Sequence, residues 1–176
     1  MLLLEHLVEQ YGEYLFHLGY LYVKDRQLAE EITQDVFLKY MQQPEKFRGD
    51  ASLKTYLTRI LINRCYDELK KIKRKTLFNQ WLFKKDKNQP SIEHTYIKQE
   101  AYQTLLDKVL QLSLHYREII ILYYYEEFEV KEIANLLGLS ENTVRTRLRR
   151  AREILKTDQQ LEEIYQYMRG MNHESI

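Results

Sequence analysis

Apolar residues recur at steps of three and four along most of this chain, the period of helices with one buried face. Over residues 2–22 the stripe is Leu4, Leu7, Val8, Tyr11, Leu15 and Leu18, broadened by Tyr14 and Phe16. Lys24-Asp25-Arg26 forms a short polar link. A second helix over 26–42 places Leu28, Ala29, Ile32, Val36 and Tyr40 on one side, with Pro44 just past its end. Phe47-Arg48-Gly49-Asp50-Ala51-Ser52 reads as a loop: Gly49 permits the turn, and Ser52 or Asp50 can cap the next helix. That third helix, over 53–74, repeats Leu53, Tyr56, Leu57, Ile60, Leu61, Cys65 and Leu69. These three make a small but foldable unit.

Residues 76–98 break the period. Lys84 to Ser91 is polar and turn-prone, so the segment reads as a linker. Leu77-Phe78 and Trp81-Leu82-Phe83 could anchor it, either on a partner or on the first unit. The helical pattern returns near Gln99 and runs to about Leu112 through Tyr102, Leu105, Leu106, Val109 and Leu110. Another helix, from about Tyr116 to Glu126, carries Ile119, Ile120, Leu122 and Tyr123. Residues 129–155 then read as two short helices joined by a tight turn. In the first, Ile133, Leu136 and Leu137 face the core. Gly138 suits the left-handed conformation that ends a helix, and Leu139 fills the angle. Ser140 is a good N-cap, with Glu141 favourable in the first turn. Val144, Leu148, Ala151 and Leu155, spaced four, three and four, form the buried stripe. The fold class is all-α, two small helical bundles joined by a flexible linker, the second ending in a helix-turn-helix. The expected boundaries are 1–75, 76–98, 99–157 and a tail, 158–176, which is either an extra helix or an interaction segment. Only 5 glycines and 2 prolines punctuate the chain, which favours long helices.

Charge sharpens this picture. The net charge of +1 conceals segregation: residues 1–45 are net −5, 46–87 net +9, 99–138 net −4, 139–157 net +4 and the tail net −3. Two separate basic blocks attract phosphate, with an affinity that falls as salt rises. The acidic faces before them suit basic protein partners. With residues 144, 148, 151 and 155 buried, Asn142, Thr143, Arg145, Thr146, Arg149 and Arg150 point outward. Arginine pairs bidentately with guanine and asparagine with adenine, so such a helix reads bases in the major groove. Arg147, Arg152 and Lys156 are better placed for phosphates. No apolar run is long enough for membrane insertion, and no secretory leader is evident. The single cysteine excludes an internal disulfide, which favours the cytoplasm. The five histidines show no metal-ligand spacing, and no glycine-rich phosphate loop appears. No catalytic constellation, cofactor or metal is expected. Cys65, on a core face, reads as a buried structural cysteine.

The chain resembles bacterial sigma factors of the extracytoplasmic-function group. Residues 29–39, AEEITQDVFLK, resemble the family's region 2.2. Residues 47–75, FRGDASLKTYLTRILINRCYDELKKIKRK, resemble regions 2.3 and 2.4. Residues 116–155, YREIIILYYYEEFEVKEIANLLGLSENTVRTRLRRAREIL, resemble region 4. The resemblance implies an alternative sigma factor that binds RNA polymerase core and directs promoter recognition, DNA melting and initiation. It implies that Glu31, Gln34, Asp35 and Leu38 meet the β′ coiled coil, although an ordinary solvated acidic helix would look the same. It assigns Phe47, Arg48, Gly49, Asp50, Ser52, Lys54, Thr55, Arg59 and Asn63 to the −10 element. Lys70, Lys71, Lys73, Arg74 and Lys75 would track its phosphates. Tyr56 stands where the family usually has tryptophan and reads as a core aromatic.

The −35 element would fall to Glu141, Asn142, Thr143, Arg145, Thr146, Arg147, Arg149 and Arg150. Glu126, Glu127 and Glu132 would face the β flap, and an anti-sigma factor is an expected partner. Three departures stand out. Leu112-Ser113 replaces the usual Leu-Pro, so that turn is expected to be less rigid. Glu127 and Glu129 replace a glycine and a serine-like cap, which leaves the next turn less ideal. Asn142-Thr143 replaces glycine-threonine, adding an amide for base reading. The rival reading is a repressor or activator with a dimerising first unit, which would bind a palindrome without polymerase. A helical adaptor without DNA contact is more remote.

Overall fold

A computed structural model describes residues 2–82 and 107–155, with side chains over 4–76 and 107–155. The chain forms two compact units, Met1–Thr95 and Tyr96–Ile176. In the first unit, α1 (Leu2–Val23), α2 (Arg26–Gln42) and α3 (Leu53–Leu82) pack pairwise against one another. Leu7, Leu15, Leu18 and Tyr22 meet Ala29, Ile32, Val36 and Phe37 of α2 and Leu57, Leu61 and Cys65 of α3, all buried. Each large side chain buried this way contributes about 1.5–3 kcal/mol before chain entropy is charged against it. The corner between α1 and α2 is tight. Lys24 takes a left-handed φ of 60°, and the Asp25 carboxylate accepts the Leu28 N–H at 2.9 Å to cap α2. Polar links cross the bundle: the Tyr14 and Thr58 hydroxyls share a 2.7 Å hydrogen bond, and Arg64 donates to Asp35 Oδ2 at 2.6 and 2.8 Å.

The helix positions obey the hydrophobic period, with informative exceptions. Val8 is 45% exposed, because the buried line through Leu7, Leu15, Leu18 and Tyr22 leaves it one step round the helix. On α2, Thr33 and Phe37 are buried as well, since that helix packs against both neighbours. Thr33 Oγ1 satisfies itself by donating to Ala29 O at 2.8 Å. The backbone of α3 continues to Leu82, eight residues beyond the expected end at 74. Its continuation from Lys75 to Leu82 holds no glycine or proline, and none follows before Pro90. The expected Leu77-Phe78 and Trp81-Leu82-Phe83 anchor lies outside the described side chains.

In the second unit, residues 107–111 are helical. Then come α4 (Leu114–Ile120), continued by a π-helical turn at Ile121–Tyr125, α5 (Val130–Leu137) and α6 (Glu141–Leu155). The rest of the helix expected from Gln99, and the tail 158–176, lie outside the described residues. Helix α6 packs on both α4 and α5. Ile119, Ile120, Ile121 and Leu122 are all buried, so α4 is the central helix rather than an amphipathic one. Ile133 is buried, whereas Leu136 and Leu137 are half-buried at the corner.

The two turns expected to be loose are closed by charged side chains. Arg117 is buried and its Nη1 donates to the carbonyls of Leu110 and Leu112, both at 3.1 Å. That clamp replaces the stiffness a proline would give at 113. Before α5, Glu127 adopts φ 56°, and the Phe128 N–H reaches back to Leu122 O at 3.0 Å. Glu132 Oε2 then accepts the Glu129 N–H at 2.8 Å, one half of a capping box. Glu126, expected to face outward, is instead 7% exposed.

Burial raises the Cys65 thiol from its ordinary 9.0 to about 12. The folded state disfavours the thiolate, so stability from this site is complete below pH 9 and is lost as pH rises toward 12. At pH 8 the native protein is expected to react with a thiol reagent at least about a hundredfold slower than denatured protein. Equal rates would mean that the core face of α3 is open.

Candidate nucleic-acid interface

The geometry of the helix-turn-helix is set at its corner. Gly138 has φ 66° and ψ 36°, and the Leu139 N–H returns to Ala134 O at 2.9 Å. Only glycine adopts that conformation without strain, so α5 stops there. Ser140 Oγ then accepts the Thr143 N–H at 3.1 Å and shares a hydrogen bond with the Thr143 hydroxyl at 2.8 Å. Val144, Leu148, Ala151 and Leu155 seal the inner face. On the other side Asn142, Arg145, Thr146, Arg149 and Arg150 are exposed or half-exposed, with Thr143 partly covered by its role at the cap.

The arginines of α6 differ in their partners. Arg145 pairs with Glu141 at 2.6 Å and Arg149 with Glu153 at 2.7 Å, one turn along the same helix. Such exposed pairs contribute a few tenths of a kcal/mol and are readily exchanged for a base or phosphate. Arg147 and Arg152, expected on phosphates, turn toward the body of the unit. Arg147 Nη1 lies 3.4 Å from Glu118 Oε1 of α4. Arg152 Nε donates to the Tyr124 hydroxyl at 2.7 Å, with its guanidinium 5.5 Å from the Tyr123 and Tyr124 ring centres. Glu118 receives no role from the sequence pattern, although a glutamate heading the apolar run Ile119–Leu122 is a signal of a buried, paired charge.

The first unit offers a second surface, built on α3 and the loop before it. Ser52, not Asp50, caps α3: its Oγ accepts the Thr55 N–H at 3.1 Å. Gly49 turns the loop with φ 77°. Beneath it lies an aromatic floor: Phe47 tilts on Tyr56 with ring centres 5.3 Å apart, and Tyr40 meets Tyr56 edge-on at 6.3 Å. Arg48, Asp50 and Ser52 stand exposed above it. Arg59 and Asn63 are exposed one turn apart on α3, and Lys70, Lys71, Lys73, Arg74 and Lys75 come after them, all exposed. Lys71 also pairs with Glu68 at 2.8 Å. Lys54, by contrast, rests 4.3 Å above the Tyr14 ring, which holds it against α1.

On α2, Glu31, Gln34 and Leu38 lie on the exposed face, and Leu38 is 53% exposed. Gln27 Nε2 donates to Glu31 at 3.1 Å. Asp35 is half-exposed and already engaged by Arg64, whose pKa the Asp35 hydrogen bond raises further. Among the described residues, no group of three or more His, Cys, Asp or Glu side chains is placed to hold a metal ion. No described helix is long and apolar enough to cross a membrane.

Comparison with known proteins agrees with this layout. Two family models match, "Sigma-70 region 2" over residues 7–75 and "Sigma-70, region 4" over residues 102–155. The RNA polymerase sigma factor YlaC of Bacillus subtilis (strain 168) is 31% identical over 171 residues, covering 87% of this chain and 90% of that protein. The ECF RNA polymerase sigma factor SigW of the same organism is 28% identical over 163 residues, 85% of each chain. The sigma factor RpoE from Bartonella quintana, solved with the anti-sigma factor NepR, shares the fold at a TM-score of 0.68 and 23% identity. That match covers 90% of this chain and 96% of RpoE.

Replacing the Ser140 cap by alanine is expected to cost the second unit about 1 kcal/mol, measured by chemical denaturation. A variant as stable as the parent would show that the turn holds without the cap.

Proposed function

This chain belongs to the extracytoplasmic-function group of the sigma-70 family, and from that premise we propose how its residues divide the work of starting transcription. It is an alternative sigma factor that directs promoter-specific initiation. Sigma factors are initiation factors rather than enzymes; the RNA polymerase core performs the chemistry. The sites of action are core polymerase and promoter DNA, which puts the protein in the cytoplasm.

Residues 1–75 bind core polymerase and act on the −10 element. On α2, Glu31, Gln34 and Leu38 form the face for the β′ coiled coil, an apolar anchor ringed by acceptors for basic side chains. Asp35 sits at its edge, shared with Arg64. The loop from Phe47 to Ser52, with Thr55, Arg59 and Asn63, holds an extruded base of the −10 element. Unstacking a base costs a few kcal/mol, on the order of what a stacking or hydrogen-bonding pocket returns. The aromatic floor and the Ser52 cap support this role, because a loop ordered in advance loses less entropy on binding. Lys54 lends charge from its perch on Tyr14. Lys70, Lys71, Lys73, Arg74 and Lys75 track the neighbouring phosphates.

Residues 99–157 read the −35 element. Asn142, Arg145, Thr146, Arg149 and Arg150 reach the major groove, with Glu141 and Thr143 at the helix entrance. Glu127 and Glu132 remain on the outside for the β flap, while Glu126 is buried. Segment 76–98 joins the two readers, and the tether raises the effective concentration of one once the other is bound. An anti-sigma factor is the expected regulator. RpoE was solved with the anti-sigma factor NepR, and CnrH, which shares the fold, with the cytosolic domain of CnrY. The observation that carries the reading is the capped recognition helix, whose sealed inner face leaves a row of base-reading side chains outside.

Run-off transcription with core polymerase tests it. The parent chain is expected to initiate from its promoter. Asn63→Ala is expected to bind the closed promoter but lose melting, detected by permanganate reactivity. Arg149→Ala is expected to weaken binding to the upstream element about tenfold, as for one lost base contact. No initiation at any start site with core enzyme would sink the reading. Dimeric binding to a palindrome without polymerase would favour a repressor instead.

A further inference from the structure

Arginines crowd one stretch of α6, and one of them behaves differently. The side chains of Arg145 and Arg149 are 59% and 68% exposed, whereas that of Arg147 is 27% exposed. At 3.6 residues per turn, position 147 falls beside the buried stripe, flanked by Val144, Leu148 and Ala151. Its guanidinium lies 3.4 Å from the carboxylate of Glu118, which is 1% exposed in α4. A carboxylate that deep is tolerated only with a cation or hydrogen bonds at hand. A DNA phosphate that drew Arg147 away would take this cation from a charge in the interior.

We infer that Arg147 is a positioning residue. Through Glu118 it fixes the rotation of α6 about its own axis relative to α4, and it does not itself touch DNA. That rotation sets the angle at which Asn142, Arg145, Thr146 and Arg149 meet the base edges. Recognition groups must be held to within about 10–20° to keep a bidentate pair. The apolar contacts of Val144 and Leu148 hold the helix down but are non-directional. The Glu118–Arg147 pair is directional and adjoins the reading face, so it supplies the missing constraint. This assignment rests on α6 being the −35 reader.

The test uses holoenzyme assembled from the full chain and core polymerase. Its probes are a duplex whose upstream element was selected by the parent holoenzyme from a random pool, and a scrambled duplex. Arg147→Gln, Glu118→Gln and the double variant are compared below their melting temperatures across a salt series. Each single variant is expected to lower the preference for selected over scrambled DNA about tenfold, roughly one bidentate contact. The double variant should lose no more, and the slope of log affinity against log salt should match the parent. A slope reduced by about 0.9 in Arg147→Gln is the signature of one lost phosphate contact and would overturn the assignment. So would a Glu118→Gln variant that melts earlier yet keeps full preference, since the pair would then be a strut only. Should Glu118→Gln not fold, the slope of Arg147→Gln alone decides. A parent holoenzyme with no preference for its selected duplex would refute the −35 reading itself, and this assignment with it.

Discussion

Burial of the inner face of α6 is the constraint from which the DNA-facing surface arises. Val144, Leu148, Ala151 and Leu155 leave water together, which confines the helix to a narrow range of orientations. Once they are inside, Asn142, Arg145, Thr146, Arg149 and Arg150 fall on the outside. The corner at Gly138 and Ser140 delivers the helix at the required angle. The central α4 and the π-helical turn that continues it, buried through four consecutive apolar residues, form the surface it lies on. Polar side chains then refine what apolar burial leaves undetermined: Arg117 clamps the entry to α4, Glu132 the entry to α5.

The first unit solves a different problem, that of holding a loop still while leaving it open. The loop from Phe47 to Ser52 has few apolar groups to bury. Its order comes from its ends and its underside: the 3-10 turn Pro44–Lys46 before it, the Ser52 cap after it, and Tyr40, Phe47 and Tyr56 beneath. The three-helix core supports this floor through Leu57 and Leu61, which lie on the same helix as the cap. Core packing and site geometry are therefore parts of one element, α3.

Much of this is legible in the sequence because helical periodicity, caps and glycine punctuation are local signals. The extents of α2 and α6, the stripe at 144–155, the Ser140 cap and the left-handed Gly138 all depend on residues within one or two turns. The features that escape a reading of the sequence depend on contacts distant along the chain. Glu118 and Arg147 are 29 positions apart, as are Asp35 and Arg64, and no short window joins them. The same is true of Arg152 on Tyr124. The turns at 113 and 127–129 look weak in the sequence because their expected small or rigid residues are missing. Long side chains, Arg117 and Glu132, perform the closure instead. The end of α3 reads as falling near 74 because the three-and-four apolar period lapses there. Helix formation, however, needs only favourable propensity and no breaker, and the helix runs on.

The unbroken course of α3 has a metrical consequence. A helix of 30 residues is a stiff rod about 45 Å long. Asn63 and Lys75 are twelve residues apart on it, so their separation along the axis is about 18 Å. On one strand of a duplex that length corresponds to about five nucleotide steps. On the proposed assignment, which gives Asn63 a base and Lys75 the backbone, the offset between the two contacts is fixed by helical rise. Chain length elsewhere cannot stretch or shorten it, and on that assignment the rod would serve as a ruler laid along promoter DNA.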